Sequence, residues 1–364
     1  MKSKTSFFWR IHQLFFCFTL LVYTLTYFAW TGHWVAGFLM MSLPILLIGH
    51  LFLCVFWLTY QPRKSILSVC ALLLSFPFWA RTWHFTSSPK PIEKGGKELA
   101  VLSYNVMSFD VLQYLDGSNP QNALDLVAWT KDTEADIKCF QEFYNLDTRP
   151  DFNTLQQFKK AGYRYHTALH PQIAAHEKHF FGLAILSKYP IVKRGEMEFR
   201  DQNGMLFADV KVGKDTIRVI NVHLRSLIVR FGKLKTAYQE KDYQQGKFET
   251  RKVFGKIKNG FINHAKEAEL LTQWIDDSPH PVLLCGDFNE TPYGYVYGQV
   301  RKRLSNAFEE VGSGFGFSYQ NAPRYIRIDN QFFDPRKLQP LKFETRRDIK
   351  YSDHYPIIAR YKVL

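Results

Sequence analysis

Val282-Leu-Leu-Cys-Gly-Asp-Phe-Asn289 reads as a strand that ends on a polar turn. Four apolar residues follow Pro281, Gly286 closes the run, and a carboxylate and an amide come next. A short, continuous apolar run of this kind fits a strand buried on both faces. Asp287-Phe288-Asn289 is then either a plain turn or a polar group placed at a sheet rim to meet a ligand.

The same pattern recurs on both sides of this stretch. Leu99–Tyr104 leads to Asn105, Ile137–Phe140 to Gln141-Glu142, and Ile217–Ile220 to Asn221-Val222-His223. Arg327-Ile328 leads to Asp329, and Tyr351-Ser352 to Asp353-His354. Further β-rich runs lie at Leu183–Ser187, Met205–Val210 and Tyr355–Tyr361, with helical periodicity at Ala123–Thr130, Thr154–Ala161 and Phe261–Asp276. Short strands mixed with helices over residues 98–364 predict an α/β or α+β domain on a sheet core, without a fixed-period repeat. Each rim residue alone has an ordinary explanation: Asn105 caps a turn, Glu142 is a solvated strand end, His223 is a hydrogen-bonded core histidine. Together, the Asn, Glu, Asp and His side chains suit an oxygen-ligated Mg2+ or Mn2+, with imidazoles for proton or charge work.

Six segments in one order carry a more specific signal. They are Ser103-Tyr104-Asn105-Val106, Gln141-Glu142, Asn221-Val222-His223-Leu224, Gly286-Asp287-Phe288-Asn289, Arg327-Ile328-Asp329 and Ser352-Asp353-His354-Tyr355-Pro356. The set resembles the motifs of the endonuclease/exonuclease/phosphatase family from residue 99 to the end, and Gly182–Pro190 is similar to a further strand of that family. The resemblance implies a four-layer α/β sandwich with two packed β-sheets. It implies metal-dependent hydrolysis of a phosphodiester or phosphomonoester in a lipid, a small molecule or a nucleic acid. Glu142 would be the main metal carboxylate, with Asn105 and Asp353 beside it. Asp287, helped by Asn289, would orient or deprotonate the attacking water. His354 would contact the scissile phosphate, held by Asp329, and His223 would be a second phosphate-facing imidazole. Whether Asp287 or His354 is the base stays open. The chain departs from the family after Asp329, where Asn330-Gln331-Phe332-Phe333 predicts altered strand geometry. Tyr165, His170 and His176 lie where a phosphate-contacting tyrosine is expected, and nothing selects among them. The alternative function is a non-catalytic, membrane-tethered binding or scaffold protein on the same fold; retention of the matching polar positions counts against it.

Two other patterns carry no such weight. The histidines of His176-Glu177-Lys178-His179 are wrongly spaced for a zinc protease helix, and Gly312–Gly316 reads as a turn near the site rather than a dinucleotide loop. The five cysteines form no CxxC or Cys/His cluster, so neither a zinc site nor a disulfide framework is expected.

The net charge of +14 is unevenly spread. Residues 1–97 hold nine Lys/Arg and one acid, which leaves residues 98–364 at only about +6, too mild to argue nucleic-acid binding alone. Residues 225–260 hold ten Lys/Arg against three acids, with five aromatic residues interleaved. They are either a solvated helical insertion or a basic, aromatic arm for anionic headgroups or nucleic acid.

The first 85 residues predict a membrane anchor. Leu14–Trp30, Trp34–Tyr60 and Ile66–Ala80 are apolar runs, read as three spans. No small-residue cleavage site follows the first, so it is read as an uncleaved span. Lys2, Lys4 and Arg10 precede the first span and Arg63 and Lys64 follow the second, which predicts a cytoplasmic N-terminus. With three spans, the bilayer is a partner and the catalytic domain is extracytoplasmic, beyond a linker at 86–97.

Overall fold

The computed structural model describes residues 2–85, 96–169, 179–199, 203–227, 243–321 and 325–364. Two compact units result: Thr82–Arg225 with Glu269–Asn289 and Val300–Leu364, and Met1–Arg81 with Ser226–Ala268 and Glu290–Gln299. Ser226–Ala268 and Glu290–Gln299 thus belong to the same unit as the N-terminal helices.

The larger unit holds two mixed six-stranded sheets. The first runs Leu338–Thr345, Ile357–Val363, Lys97–Asn105, Ile137–Leu146, His179–Ser187, Tyr165–Leu169. The second runs Ser305–Asn306, Asp329–Phe333, Val282–Asp287, Asp215–His223, Gly204–Val212, Ile191–Glu198. The central pair of each sheet is parallel, Lys97–Asn105 with Ile137–Leu146 and Asp215–His223 with Val282–Asp287. Strand alternation explains the continuous apolar reading. Leu99, Val101, Ile137 and Cys139 enter the core between the sheets with Val219, Leu283 and Cys285. Leu102, Tyr104 and Phe140 face the other way, onto Leu126 and Phe158 of the helices Pro120–Asp132 and Thr154–Lys160. All five cysteines are free, and Cys139 and Cys285 are buried.

Polar side chains also tie the sheets together. Asn221 donates to the carbonyls of Phe140 (2.8 Å) and Ala184 (3.0 Å) and accepts from Gln141 Nε2 (2.6 Å). Gln331 donates to the carbonyls of Val101 (3.2 Å) and Ile357 (3.3 Å) and accepts from Tyr361 (3.0 Å). Buried amides with complete hydrogen bonding fix register at little net cost. They also resolve the departure after Asp329: Gln331 is a cross-sheet tie, and the strand keeps regular pairing.

The smaller unit contains the helices Lys2–Phe28, Trp34–Met41, Leu43–Tyr60, Ile66–Leu74 and Phe76–Trp79. Phe7–Phe28 and Leu43–Tyr60 are long and apolar enough to cross a membrane. The second apolar run breaks at Ser42, where Pro44 opens the next helix, as expected of a residue without a backbone donor. The third run is broken as well, at Ser75, into helices of nine and four residues, each too short to cross alone. The basic insertion is helical from Tyr243 onward, within Tyr243–Asp276. It is not merely solvated: Phe254 stacks on Phe38 (5.0 Å, 9°), Phe261 meets Phe38 at 5.3 Å, and Lys258 lies over Trp34 at 4.8 Å.

Candidate active site

Gly286 sets the site. Its φ is +146°, and a Cβ there would lie 2.0 Å from the Val222 carbonyl oxygen, so only glycine lets the two parallel strands close up. The resulting register places His223 beside Asp287, and the antiparallel neighbour places Asp329 on its other side. Three functional groups from distant sequence positions thus line one sheet rim.

The other sheet supplies Asn105 and Glu142. Asn105 pairs with Gln141 at the strand end. Glu142 follows in a left-handed conformation (φ 52°) on a bulge between Phe140 and Phe143. The bulge breaks the alternation: Gln141 and Phe143 are fully buried, whereas the Glu142 side chain keeps 31% exposure. Asn105 joins the two rims, its Nδ2 donating to Glu142 Oε1 (3.2 Å) and Asp287 Oδ2 (3.3 Å).

Asp287 is the hub. Its Oδ1 accepts from the Asn289 backbone at 2.8 Å, and its Oδ2 faces Asn289 Nδ2 at 3.3 Å. The Nε2 atoms of His223 and His354 each lie 3.6 Å from Asp287 Oδ2. Asn289 also donates to the Leu224 carbonyl (2.9 Å), which pins this turn to the end of the neighbouring strand. His354 is bound through Nδ1 to Asp329 Oδ2 at 2.9 Å. Ser352 anchors the Asp353-His354 turn by donating to the Asn105 carbonyl at 2.7 Å. Asp353 contributes charge felt at Glu142, His223 and His354.

The two imidazoles diverge electrostatically. Burial alone lowers His354, but Asp329 and Asp287 outweigh it and hold the ring at about 10, an imidazolium across the neutral range. His223 is lowered by burial, with Asp287 opposing only in part, so it is neutral there. Burial raises the Asp287 carboxyl, with His354 and His223 pulling back. Burial likewise raises Glu142, against the Asn105 hydrogen bond.

Glu142, held by the Asn105 amide and subject to the charge of Asp353, forms the hard-oxygen setting that a divalent cation suits. Asp287, Asp329 and His354 also converge, their ligand atoms within 4.8 Å of one another. Two carboxylates and an imidazole so placed could also hold a divalent cation.

The structure therefore brings together Asn105, Glu142, His223, Asp287, Asn289, Asp329 and His354, with Asp353 on the same turn. Tyr165 lies instead on an edge strand of the first sheet, and His170 and His176-Glu177-Lys178 fall outside the described residues. Sequence reasoning missed Ser318 and Tyr319. Ser318 Oγ accepts from the backbone of Ile328 and of Asp329, at 3.1 Å each, and Tyr319 bridges to His354. Only the glycine-rich turn just before them hinted at this loop.

Residues 102–354 match the model of the Endonuclease/Exonuclease/phosphatase family, and residues 5–82 match a domain of unknown function. Protein angel homolog 2 of Danio rerio is 25% identical over 307 residues, 76% of this chain and 49% of that protein; the chain thus spans about half the length of this curated relative. An endonuclease/exonuclease/phosphatase family protein from Bacteroides thetaiotaomicron shares the fold, with TM-score 0.51, 16% identity, and 74% of this chain and 99% of that chain covered.

Proposed function

Because this chain belongs to the endonuclease/exonuclease/phosphatase family, we propose that it is a divalent-metal-dependent phosphoester hydrolase that acts by water attack at phosphorus. The observation that carries this reading is the sharing of Asp287 among Asn105, Asn289, His223 and His354, with Asp329 fixing the second histidine.

The charges support one division of roles. Asp329 and Asp287 raise His354, which favours His354 as the cation at the phosphate and Asp287 as the base in this reading. As the water oxygen bonds to phosphorus, its proton passes to Asp287, the phosphorus–oxygen bond to the leaving group breaks, and that oxygen is protonated from solvent. Nε2 of His354 faces the charge that builds on the phosphoryl oxygens, and Asp329 fixes the ring through Nδ1. His223 donates or accepts as a neutral ring beside Asp287. Asn289 is a positioning residue that aims the Asp287 carboxylate. Glu142, with Asn105 and Asp353, would hold Mg2+ or Mn2+, which supplies neutralising charge for the phosphate when bound.

The N-terminal helices serve as a membrane anchor in this reading, with a cytoplasmic N-terminus and an extracytoplasmic hydrolase. Lys2, Lys4, Arg10, Arg63 and Lys64 support the orientation. The third crossing rests on the consecutive helices Ile66–Leu74 and Phe76–Trp79, after the basic turn Pro62–Ser65. Protease accessibility of the C-terminal region in intact cells against lysed cells tests it; protection in intact cells would reverse the side.

Substrate class is tested by presenting the full chain, with Mg2+ or Mn2+, with plasmid, abasic duplex, sphingomyelin, phosphoinositides and bis-p-nitrophenyl phosphate. Divalent-dependent release from at least one phosphoester is expected. Metal binding without hydrolysis of any would favour the scaffold alternative.

A further inference from the structure

A row of aromatic residues alternates along the segment 315–319, which reaches His354 at Tyr319. Tyr319 pairs with His354 as an isolated antiparallel bridge, and their rings lie 5.1 Å apart. Two and four residues earlier, Phe317 and Phe315 stack face to face (4.9 Å, 12°). Trp83 meets Phe315 edge-on at 4.4 Å, and Phe85 meets Trp83 at 5.9 Å. Tyr325 closes on Phe317 at 5.6 Å.

The row is built rather than incidental. Trp83–His84 pairs with Gly314–Phe315 as a two-stranded ribbon, and His84 Nδ1 bonds the Gly312 carbonyl at 3.0 Å. Yet the rings are open: Trp83 is 39% exposed, Phe315 43%, Tyr325 73% and Phe85 76%. Contiguous apolar surface of this kind beside a polar site marks a place where something binds.

Three observations select the occupant. Phe315 and Phe317 stack on each other and Trp83 meets Phe315 edge-on, so part of the π-surface that a base would stack on is already taken, whereas alkyl chains need no free face. Among the described residues, one cation, Arg347, is seen over this row, at 5.7 Å from Phe317, whereas a nucleic-acid strand calls for a run of them. In sequence the row starts at Trp83, four residues after the last apolar helix ends at Trp79, where interfacial aromatic residues are expected. We infer that Trp83, Phe315 and Phe317 form the subsite for the apolar chain of a lipid phosphodiester whose phosphate lies at His354. This rests on the hydrolase reading above.

The test uses the full chain in bilayer discs and a graded series of soluble diesters, the methyl, butyl and octyl p-nitrophenyl phosphates, with thymidine 5′-p-nitrophenyl phosphate as the nucleotide arm. The wild type is expected to favour octyl over methyl by about tenfold or more, chiefly through KM, since each buried methylene adds affinity. Trp83→Ala/Phe315→Ala/Phe317→Ala, and Phe315→Ala alone as the milder change, should flatten that preference and keep methyl-ester turnover within about twofold. Absence of a chain-length preference in the wild type would overturn the inference. So would an equal loss on all esters, or a loss confined to the thymidine ester. If the wild type hydrolyses none of them, the hydrolase reading fails separately, and calorimetric binding of octyl phosphate against methyl phosphate decides the subsite. Tighter octyl binding that the triple variant loses supports it, and equal binding contradicts it.

Discussion

Two pairs of buried histidines do different work in the two units. In the N-terminal helices, His50 meets the hydroxyls of Thr19 (3.0 Å) and Ser68 (3.4 Å), and Ser68 also meets His12 (2.9 Å). In the sandwich, His354 is clamped by Asp329 and Asp287, and His223 faces Asp287 and Glu142. Both pairs are buried, so burial alone does not mark a site. The hydroxyl chain joins uncharged partners and holds helices in register. The carboxylates instead oppose burial: they win at His354, which is raised, and lose at His223, which burial keeps lowered.

The contrast breaks most visibly at the carboxylates. Glu142→Ala and Asp287→Asn should each lower hydrolysis by about a thousandfold or more, with the fold retained by circular dichroism. Asp329→Asn should cost about a hundredfold and reshape the pH profile. The wild type should lose activity in alkali near 10, where His354 gives up its proton, and in acid above the ordinary carboxylate range, where Asp287 gains one. Without Asp329 the imidazolium is less stable, so the alkaline limb should move to lower pH. An unmoved limb would separate His354 from that charge.

Glu290 sharpens the comparison as a buried carboxylate facing amides. Its oxygens accept from the backbone of Tyr295 (3.0 Å) and Val296 (2.9 Å) at the start of the helix Tyr295–Arg301. Glu290→Ala should cost about 2 kcal/mol, measured by denaturant unfolding, because those donors lose their partner. Burial pushes its carboxyl up to about 7, against the pull of these donors. A carboxyl raised on folding gives its full stabilisation below about 4.5 and loses it as pH rises through 7. Glu290→Gln should therefore flatten the stability profile across that window.

The smallest effect belongs to the helices. Ser68→Ala should cost about 0.6 kcal/mol per lost hydrogen bond and leave turnover unchanged. A drop in turnover would mean that this histidine pair also serves catalysis.

What the sequence made legible follows from the same physics. Strands such as Val282–Asp287, buried on both faces, announce themselves by apolar runs, and their polar ends announced the rim residues. Ile191–Glu198 and Leu338–Thr345 are edge strands, the first largely exposed and the second largely half-buried, so no apolar run betrays them. The bulge that turns Glu142 outward and the left-handed glycine that brings Asp287 beside His223 are backbone features, invisible to periodicity. Asn221 looked like a strand-end polar residue and Gln331 like part of a departure from the family pattern, and only packing reveals them as ties between sheets. Ser318 and Tyr319 reach the site through a loop contact that no motif encodes.

The central claim is most directly tested by the turnover of bis-p-nitrophenyl phosphate by the full chain as Mg2+ or Mn2+ is titrated, wild type against His354→Ala. The account predicts divalent-dependent turnover in the wild type and none in the variant, with both folded. Wild-type turnover in His354→Ala would contradict it, as would no turnover by a wild type shown to bind the metal.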